Sequence, residues 1–278
     1  MRISVHPPKS DFYIDIQQVQ NFSLMSAQQS LGFGRRLYRY EYAQQQFWLK
    51  THLTAQTVEQ QIFADAFENE LNCYQIFTAQ NAQFLLPSYI QTQASDFPVK
   101  MGQFALHVID ADPLFPKQLE GLSRDEIVHR IFLALNVLEE LHDLGFIHAD
   151  LKQSHWRYLQ GKAKLIDFEY CHQVGQAQQG MQATPRYMAP ELFHGQDKSI
   201  QSDLYALGII LLEWLSGLRL QANDYMGWAL LHCQQLKPEL PDDFLALQPF
   251  IKRLLMKQKQ QRFMHAQQAK YCLMTEIE

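Results

Sequence analysis

The chain has 278 residues, enough to bury a large core either as one domain or as two lobes of ordinary size. A hydrophobic content of 47% beside 19% charged residues excludes a disordered chain, and a formal charge of -5 gives no electrostatic ground for a nucleic-acid partner. The cysteines Cys73, Cys171, Cys233 and Cys272 form no CxxC pair, so neither a zinc site nor a disulfide framework is implied.

The opening MRISVHPPKS lacks the apolar core of a signal peptide, and Pro7 and Pro8 discourage a helix there. Residues 1–20 read as a short extension. The longest apolar run, Leu204 to Leu212, is far too short to span a bilayer, so a cytoplasmic chain without a membrane span is expected. From Phe22 to Lys50 aromatic and polar residues alternate, with turn signals at Gly32, Gly34 and Gln44 to Gln46, which predicts an antiparallel meander closed by the strand Phe47 to Lys50. Thr57 and Gln60 resemble a capping box. They open a helix in which Phe63, Phe67, Glu70, Tyr74 and Phe77 recur at three- and four-residue spacing. Glu70 therefore lies inside the apolar stripe and must either reach solvent or meet a buried cation, for which Lys50 is the nearest upstream candidate.

Strands follow around Phe84 to Ile90 and Gln103 to Ile109, and the Pro-rich connection Asp110 to Pro116 marks a boundary. Ser123 and Glu126 open a second helix carrying Ile127, Ile131, Leu135, Leu138 and His142 on one side and ending at Gly145. The expected organisation is an extension over 1–20, a β-rich lobe with one helix over 21–109 and a mainly helical lobe over 110–278, an α+β arrangement.

Phe146 to Tyr170, FIHADLKQSHWRYLQGKAKLIDFEY, concentrates acidic and imidazole groups around one predicted hairpin. Trp156 to Leu159 and Ala163 to Phe168 read as its strands. A turn centred on Gly161 puts His155 opposite Asp167, and period two puts Glu169 on the face of Asp167. Such a cluster is either a metal or phosphate site or a surface hairpin with satisfied charges.

Read together, these motifs resemble the eukaryotic-type serine/threonine protein kinase family over about Leu24 to Arg262. FWLK at 47–50 resembles the strand lysine, with Glu70 as its helix partner. IHADLK at 147–152 resembles the catalytic loop, LIDFE at 165–169 the metal motif and ATPRYMAPE at 183–191 the substrate-positioning segment containing Thr184. SDLYALGIILLEWLSG at 202–217 resembles the buried central helix whose Asp203 braces the catalytic loop, and QQRF at 260–263 holds Arg262, the partner of Glu191. The resemblance implies a bilobal kinase-like fold, ATP with Mg2+ or Mn2+, and a protein substrate. Asp150 would orient the substrate hydroxyl, Lys152 would offset developing charge, Lys50 held by Glu70 would orient phosphates, and Asp167 would bind metal. Adenine would lie between lobes on the backbone near His107, Val108 and Ile109.

Departures from the pattern stand beside the matches. His155 replaces the asparagine ligand, and Glu169 replaces the glycine after Asp167 and Phe168, so that Glu169 is either an added metal ligand or the partner of a nearby cation. QQSLGFGRRL keeps Gly32, Gly34 and Arg35 of the phosphate loop but not the full glycine pattern. Ala149 stands where many kinases carry the arginine that receives activation-loop phosphate, which implies a kinase not switched in that way. Three readings follow: a serine/threonine protein kinase, a pseudokinase acting as a nucleotide-binding or scaffolding module, and a small-molecule kinase.

Overall fold

The computed structural model describes residues 14–92, 101–176 and 183–275. The first thirteen residues of the expected extension lie outside the described part, whereas Ile16–Gln18 form a 3-10 turn and Gln20–Leu24 already a strand. The chain divides into two compact units, a smaller one running to Ala111 that also takes in Asp167–Glu169, and a larger one holding the remainder.

In the smaller unit, β1 (Gln20–Leu24), β2 (Arg35–Tyr42), β3 (Gln45–His52), β4 (Ser88–Thr92) and β5 (Phe104–Ile109) form one antiparallel sheet in the order β1-β2-β3-β5-β4. The β2–β3 turn is two residues long, Ala43 and Gln44, both at positive φ, the backbone that matches the twist of a tight hairpin. Tyr38, Tyr40, Phe47, Leu49 and Ala105 form a buried cluster on this sheet. The 22-residue helix α2 (Val58–Ala79) starts where the capping pattern placed it, with Thr57 accepting from the Gln60 N–H at 3.2 Å.

The glycine-loop region departs from the expected turn. Gln28–Gly32 coil into a short helix, α1, so this unit has a second helix. Of the two glycines there, Gly34 is required by its surroundings. Its φ is +84°, and a Cβ would lie 2.8 Å from the His52 ring, whereas a Cβ on Gly32 would meet nothing within 4 Å.

The larger unit is mainly helical. Its helices are α3 (Arg124–Asp143), α4 (Pro190–Phe193), α5 (Ile200–Ser216), α6 (Tyr225–Leu230), α7 (Gln248–Leu254) and α8 (Ala266–Thr275), with a π-helical turn at Leu231–Gln235. Ser123 and Glu126 cap α3 reciprocally, and the predicted face of Ile127, Ile131, Leu135, Leu138 and His142 is buried. α5 is buried from Ser202 to Leu215 and stops at Gly217, whose φ of +68° lets the chain turn away. Among the described residues no helix is long and apolar enough to cross a membrane.

Short strands complete this unit: β6 (Asp112–Pro113) with β8 (Trp156–Leu159) and β9 (Lys162–Leu165), and β7 (Phe146–Ile147) with β10 (His172–Gln173). The predicted hairpin exists, but its register is one residue off. Trp156 pairs with Leu165 and Leu159 with Lys162, because the turn consists of Gln160 and Gly161, both at positive φ, and is not centred on Gly161 alone. His155 consequently faces Ile166, whose N–H donates to the His155 carbonyl at 3.2 Å, and not Asp167. The strand ends at Leu165. Asp167, with φ of +68°, leads the chain out of the strand and into the other unit.

Candidate active-site residues in the two units

Phe168 organises the candidate site residues of the smaller unit. It is fully buried, with Tyr74 and Phe77 of α2 at 5.3 Å between ring centroids and Phe84 at 6.0 Å. α2 also grips the main chain of this segment. The Phe168 N–H donates to Glu70 Oε1 at 3.3 Å, and Asn69 Nδ2 donates to the carbonyls of Phe168 and Glu169 at 3.3 and 3.1 Å. The flanking carboxylates are thereby fixed. Lys50 Nζ lies 2.6 Å from Glu70, 2.9 Å from Asp167 and 2.9 Å from Glu169. Glu169 also pairs through its other oxygen with Arg35, which lies with its guanidinium 4.6 Å from the centroid of the Phe63 ring. The β2–β3 register explains why Arg35 arrives there: it pairs with His52, and Leu37 pairs with Lys50, so all four project from one face of the sheet.

Burial alone would lower the Lys50 pKa, but the carboxylates of Asp167, Glu169 and Glu70 outweigh it and hold the ammonium well above its ordinary value. Burial and the adjacent carboxylates push Glu70 the other way for an acid, up to about 7 against the pull of Lys50. Glu70, Asp167 and Glu169 are also the ligand-type side chains that converge within 4.8 Å among the described residues. Their all-oxygen donor set suits a hard divalent cation. The side chains of Glu70 and Glu169 are only 2% and 4% exposed beneath Lys50, whereas Asp167 is 31% exposed and is the one open to an ion from solvent.

Val108 and Ile109 end β5 in register with Trp48 and Phe47. The Ile109 N–H donates to the Pro87 carbonyl at 3.1 Å and the Asp110 N–H to Gln46 at 2.7 Å, so both donors are engaged within the sheet.

In the larger unit the residues of the IHADLK stretch hang from Asp203 at the start of α5. Its carboxylate accepts the N–H groups of His148 at 2.8 Å and Ala149 at 2.9 Å and meets His142 Nε2 at 3.1 Å. Burial alone would raise its pKa, but the hydrogen bond and charge of His142 and the contribution of His148 bring it below the ordinary aspartate value. This clamp holds Ala149 at a φ of +67°, a conformation that costs a non-glycine residue about 1–2 kcal/mol. Asp150 is thereby presented with both oxygens engaged: Oδ1 accepts the Thr184 N–H at 2.9 Å, and Oδ2 lies 2.9 Å from Lys152 Nζ. His155 is buried beside His148, with ring centroids 5.4 Å apart. Arg262, whose side chain is fully buried, holds Glu191 through paired bonds of 2.7 and 2.6 Å.

The structure thus brings together Lys50, Glu70, Asp167 and Glu169 in one unit and Asp150, Lys152 and Thr184 in the other. Sequence reasoning left Arg35 and Asn69 without these roles. Arg35 was accessible from the two-residue turn at 43–44, which sets the β2–β3 register; Asn69 had no signal, being one polar residue among several on α2.

A protein kinase domain family model matches residues 59–272, and the chain belongs to that family. It is 34% identical over 100 residues to the serine/threonine-protein kinase pakC of Dictyostelium discoideum, covering 34% of this chain and 21% of that one. It is 32% identical over 133 residues to the probable serine/threonine-protein kinase PknB of Lactococcus lactis, covering 43% of this chain and 21% of that one. The chain therefore spans only about a fifth of the length of these curated relatives. Among solved structures, the Cydia pomonella granulovirus kinase PK-1 superposes with a TM-score of 0.64 at 14% identity, over 91% of this chain and 92% of that one, a likeness of fold alone.

Proposed function

We propose that this chain is an ATP-dependent kinase that phosphorylates serine or threonine hydroxyls of a protein substrate. The observation that carries the reading is the state of Asp150. It is a nearly buried carboxylate on a loop clamped by Asp203, with the Lys152 ammonium 2.9 Å from one oxygen. Phosphoryl transfer asks the protein for alignment and charge neutralisation more than for covalent chemistry. Asp150 orients the attacking hydroxyl and takes its proton, and Lys152 offsets negative charge developing nearby. The Thr184 N–H fixes the rotamer of Asp150 and ties the substrate-positioning segment to it.

In the smaller unit, Lys50 binds phosphate oxygens, Glu70 positions it, and Asp167 supplies the accessible oxygen ligand for Mg2+ or Mn2+. ATP and its divalent ion, when bound, supply the transferable phosphoryl group and most of the charge neutralisation. His155, an imidazole, suits softer ions than magnesium, so we assign the metal role to Asp167.

A second reading, a nucleotide-binding module without turnover, is favoured by one observation: three carboxylates surround the Lys50 ammonium. Transfer of labelled phosphate from ATP to generic protein substrates, with magnesium or manganese, separates the two. The kinase reading expects incorporation on serine or threonine that falls by about 10²- to 10⁴-fold in Asp150→Ala. Equal background signals from both proteins, with thermal stabilisation by ATP retained, would establish the module instead. Mass spectrometry of the products distinguishes a protein target from a small molecule.

A further inference from the structure

We infer that Glu169 acts as an internal stand-in for phosphate, pairing with the Lys50 and Arg35 cations that a nucleotide polyphosphate takes when it binds. The inference rests on the nucleotide-binding part of the proposed function and adds two residues to it: Arg35 as a second phosphate-binding cation and Glu169 as the group it must exchange.

The crowding of charge carries the argument. Lys50 Nζ makes ion pairs with Glu70 at 2.6 Å, Asp167 at 2.9 Å and Glu169 at 2.9 Å, so a phosphate oxygen reaches Lys50 in competition with three carboxylates. The contact to Asp167 is a hydrogen bond, whereas the Glu169 oxygen beside Lys50 has no hydrogen-bond partner among the described residues. Glu70 is the least exchangeable. It is 2% exposed, sits within α2 and also accepts the Phe168 N–H. Asp167 is needed as the solvent-facing oxygen ligand. Glu169 is left, and it differs from the other two in bridging: one oxygen meets Lys50, the other Arg35. A carboxylate spanning two cations makes the contacts that two oxygens of one phosphate would make.

The surroundings suit an exchange. Lys50 and Arg35 face three carboxylates, one negative charge in excess, so departure of the Glu169 charge leaves the cluster balanced for an arriving anion. Arg35 is held in place independently of Glu169 by the Phe63 ring, and its buried Nε has no hydrogen-bond partner among the described residues. The main chain at Glu169 is tied by Asn69 and anchored by the buried Phe168, so rotation of one side chain suffices and the segment need not move. The glycine-poor stretch before Arg35, partly helical, also places fewer free backbone donors near a phosphate than a full glycine loop, which gives a second cation a purpose.

Equilibrium binding of ATP, with and without magnesium, and of inorganic tripolyphosphate tests this by calorimetry on wild type, Glu169→Gln, Glu169→Ala, Arg35→Gln and the Glu169→Ala/Arg35→Gln double variant. Circular dichroism melts serve as the folding control. Removing the Glu169 carboxylate should tighten both ligands by about ten- to a hundredfold, the worth of one charged hydrogen bond. Removing Arg35 from the Glu169→Ala background should cancel most of that gain. A gain in affinity is something that loss of structure does not produce. Unchanged or weaker binding by both folded Glu169 variants, while Lys50→Met abolishes binding, would overturn the inference and leave the nucleotide-binding reading intact. Absence of binding in every variant would overturn both. Tighter binding without phosphate transfer would sustain the inference and remove only the catalytic reading.

Discussion

Both units bury charge beside a motif residue, but they balance it differently. In the larger unit two buried ions, Arg262 and Asp203, are closely matched. Arg262 meets Glu191 through two bonds and fills its remaining donors with the carbonyls of Met256, Lys257 and Gln201, while Asp203 is neutralised by two backbone N–H groups and His142. In the smaller unit two cations share three carboxylates, and burial, helped by the neighbouring carboxylates, pushes Glu70 up to about 7. Matched buried charge fixes a framework, because nothing arriving from solvent could improve on the partners already present. Unmatched charge is tolerated where a ligand completes it.

The largest effect that sharpens this contrast comes from breaking a matched pair. Arg262→Ala strands the Glu191 carboxylate in a dry site and should cost about 3–5 kcal/mol of unfolding free energy. Glu169→Ala removes a surplus charge and should cost less than about 1 kcal/mol. Urea unfolding of the two variants decides it. If Glu169→Ala proved as damaging as Arg262→Ala, the surplus carboxylate would be structural and the contrast would fail.

The buried histidines allow a smaller, pH-dependent test in each unit. Burial holds His107 down to about 3; its Nδ1 lies 2.8 Å from the Tyr40 hydroxyl and its Nε2 3.1 Å from Gln91. Burial likewise holds His232 to about 4, although hydrogen bonds to the Arg186 and Pro185 backbone work against it; its ring packs between Phe193 and Trp228. A histidine whose folded pKa is depressed stabilises fully above its unfolded value of about 6.5 and loses that stability as pH falls toward the folded value. Each ring should therefore cost about 2 kcal/mol between pH 6.5 and 5. Glu70 works with the opposite sign, since its raised pKa means that the folded state gains from protonation as pH falls below about 7. Comparing wild type with His107→Gln at each pH removes the Glu70 part. The variant should lose less stability on acidification, and parallel acid limbs would show that His107 is not held neutral.

What the sequence revealed follows from how local each signal is. Both helix starts were legible because Thr57 and Ser123 cap within their own first turn. Glu70 was legible because helical spacing alone places it in an apolar stripe that demands a cation. The hairpin at Gln160 and Gly161 was legible as a turn but not in register, since one glycine does not reveal that its neighbour also adopts positive φ, and a shift of one residue moves His155 away from Asp167. The helix at Gln28–Gly32 was hidden because the glycines that suggested a loop belong partly to its end. The bridging of Glu169 between Lys50 and Arg35 was the least legible feature. It depends on the left-handed Asp167, on the seating of Phe168 against α2 and on the β2–β3 register acting together, and none of these is a property of the stretch that contains Glu169.

The smallest expected effect concerns regulation, and it belongs to the matched, larger unit. Tyr170 follows the Asp167–Phe168–Glu169 segment, and the Lys198 ammonium lies 5.7 Å from its ring centroid. Ala149 is held at a φ of +67° with its N–H engaged by Asp203, so no cation projects from that position of the loop. The Lys198 contact uses the ring face of Tyr170, which phenylalanine preserves. Tyr170→Phe should change stability by no more than about 0.5 kcal/mol and phosphate transfer by no more than about twofold, because less than 0.5 kcal/mol of transition-state stabilisation is at stake. A loss of tenfold or more, measured on protein carrying no phosphate at Tyr170, would place the hydroxyl itself in the catalytic arrangement and make the larger unit's charge arrangement as unfinished as the smaller unit's.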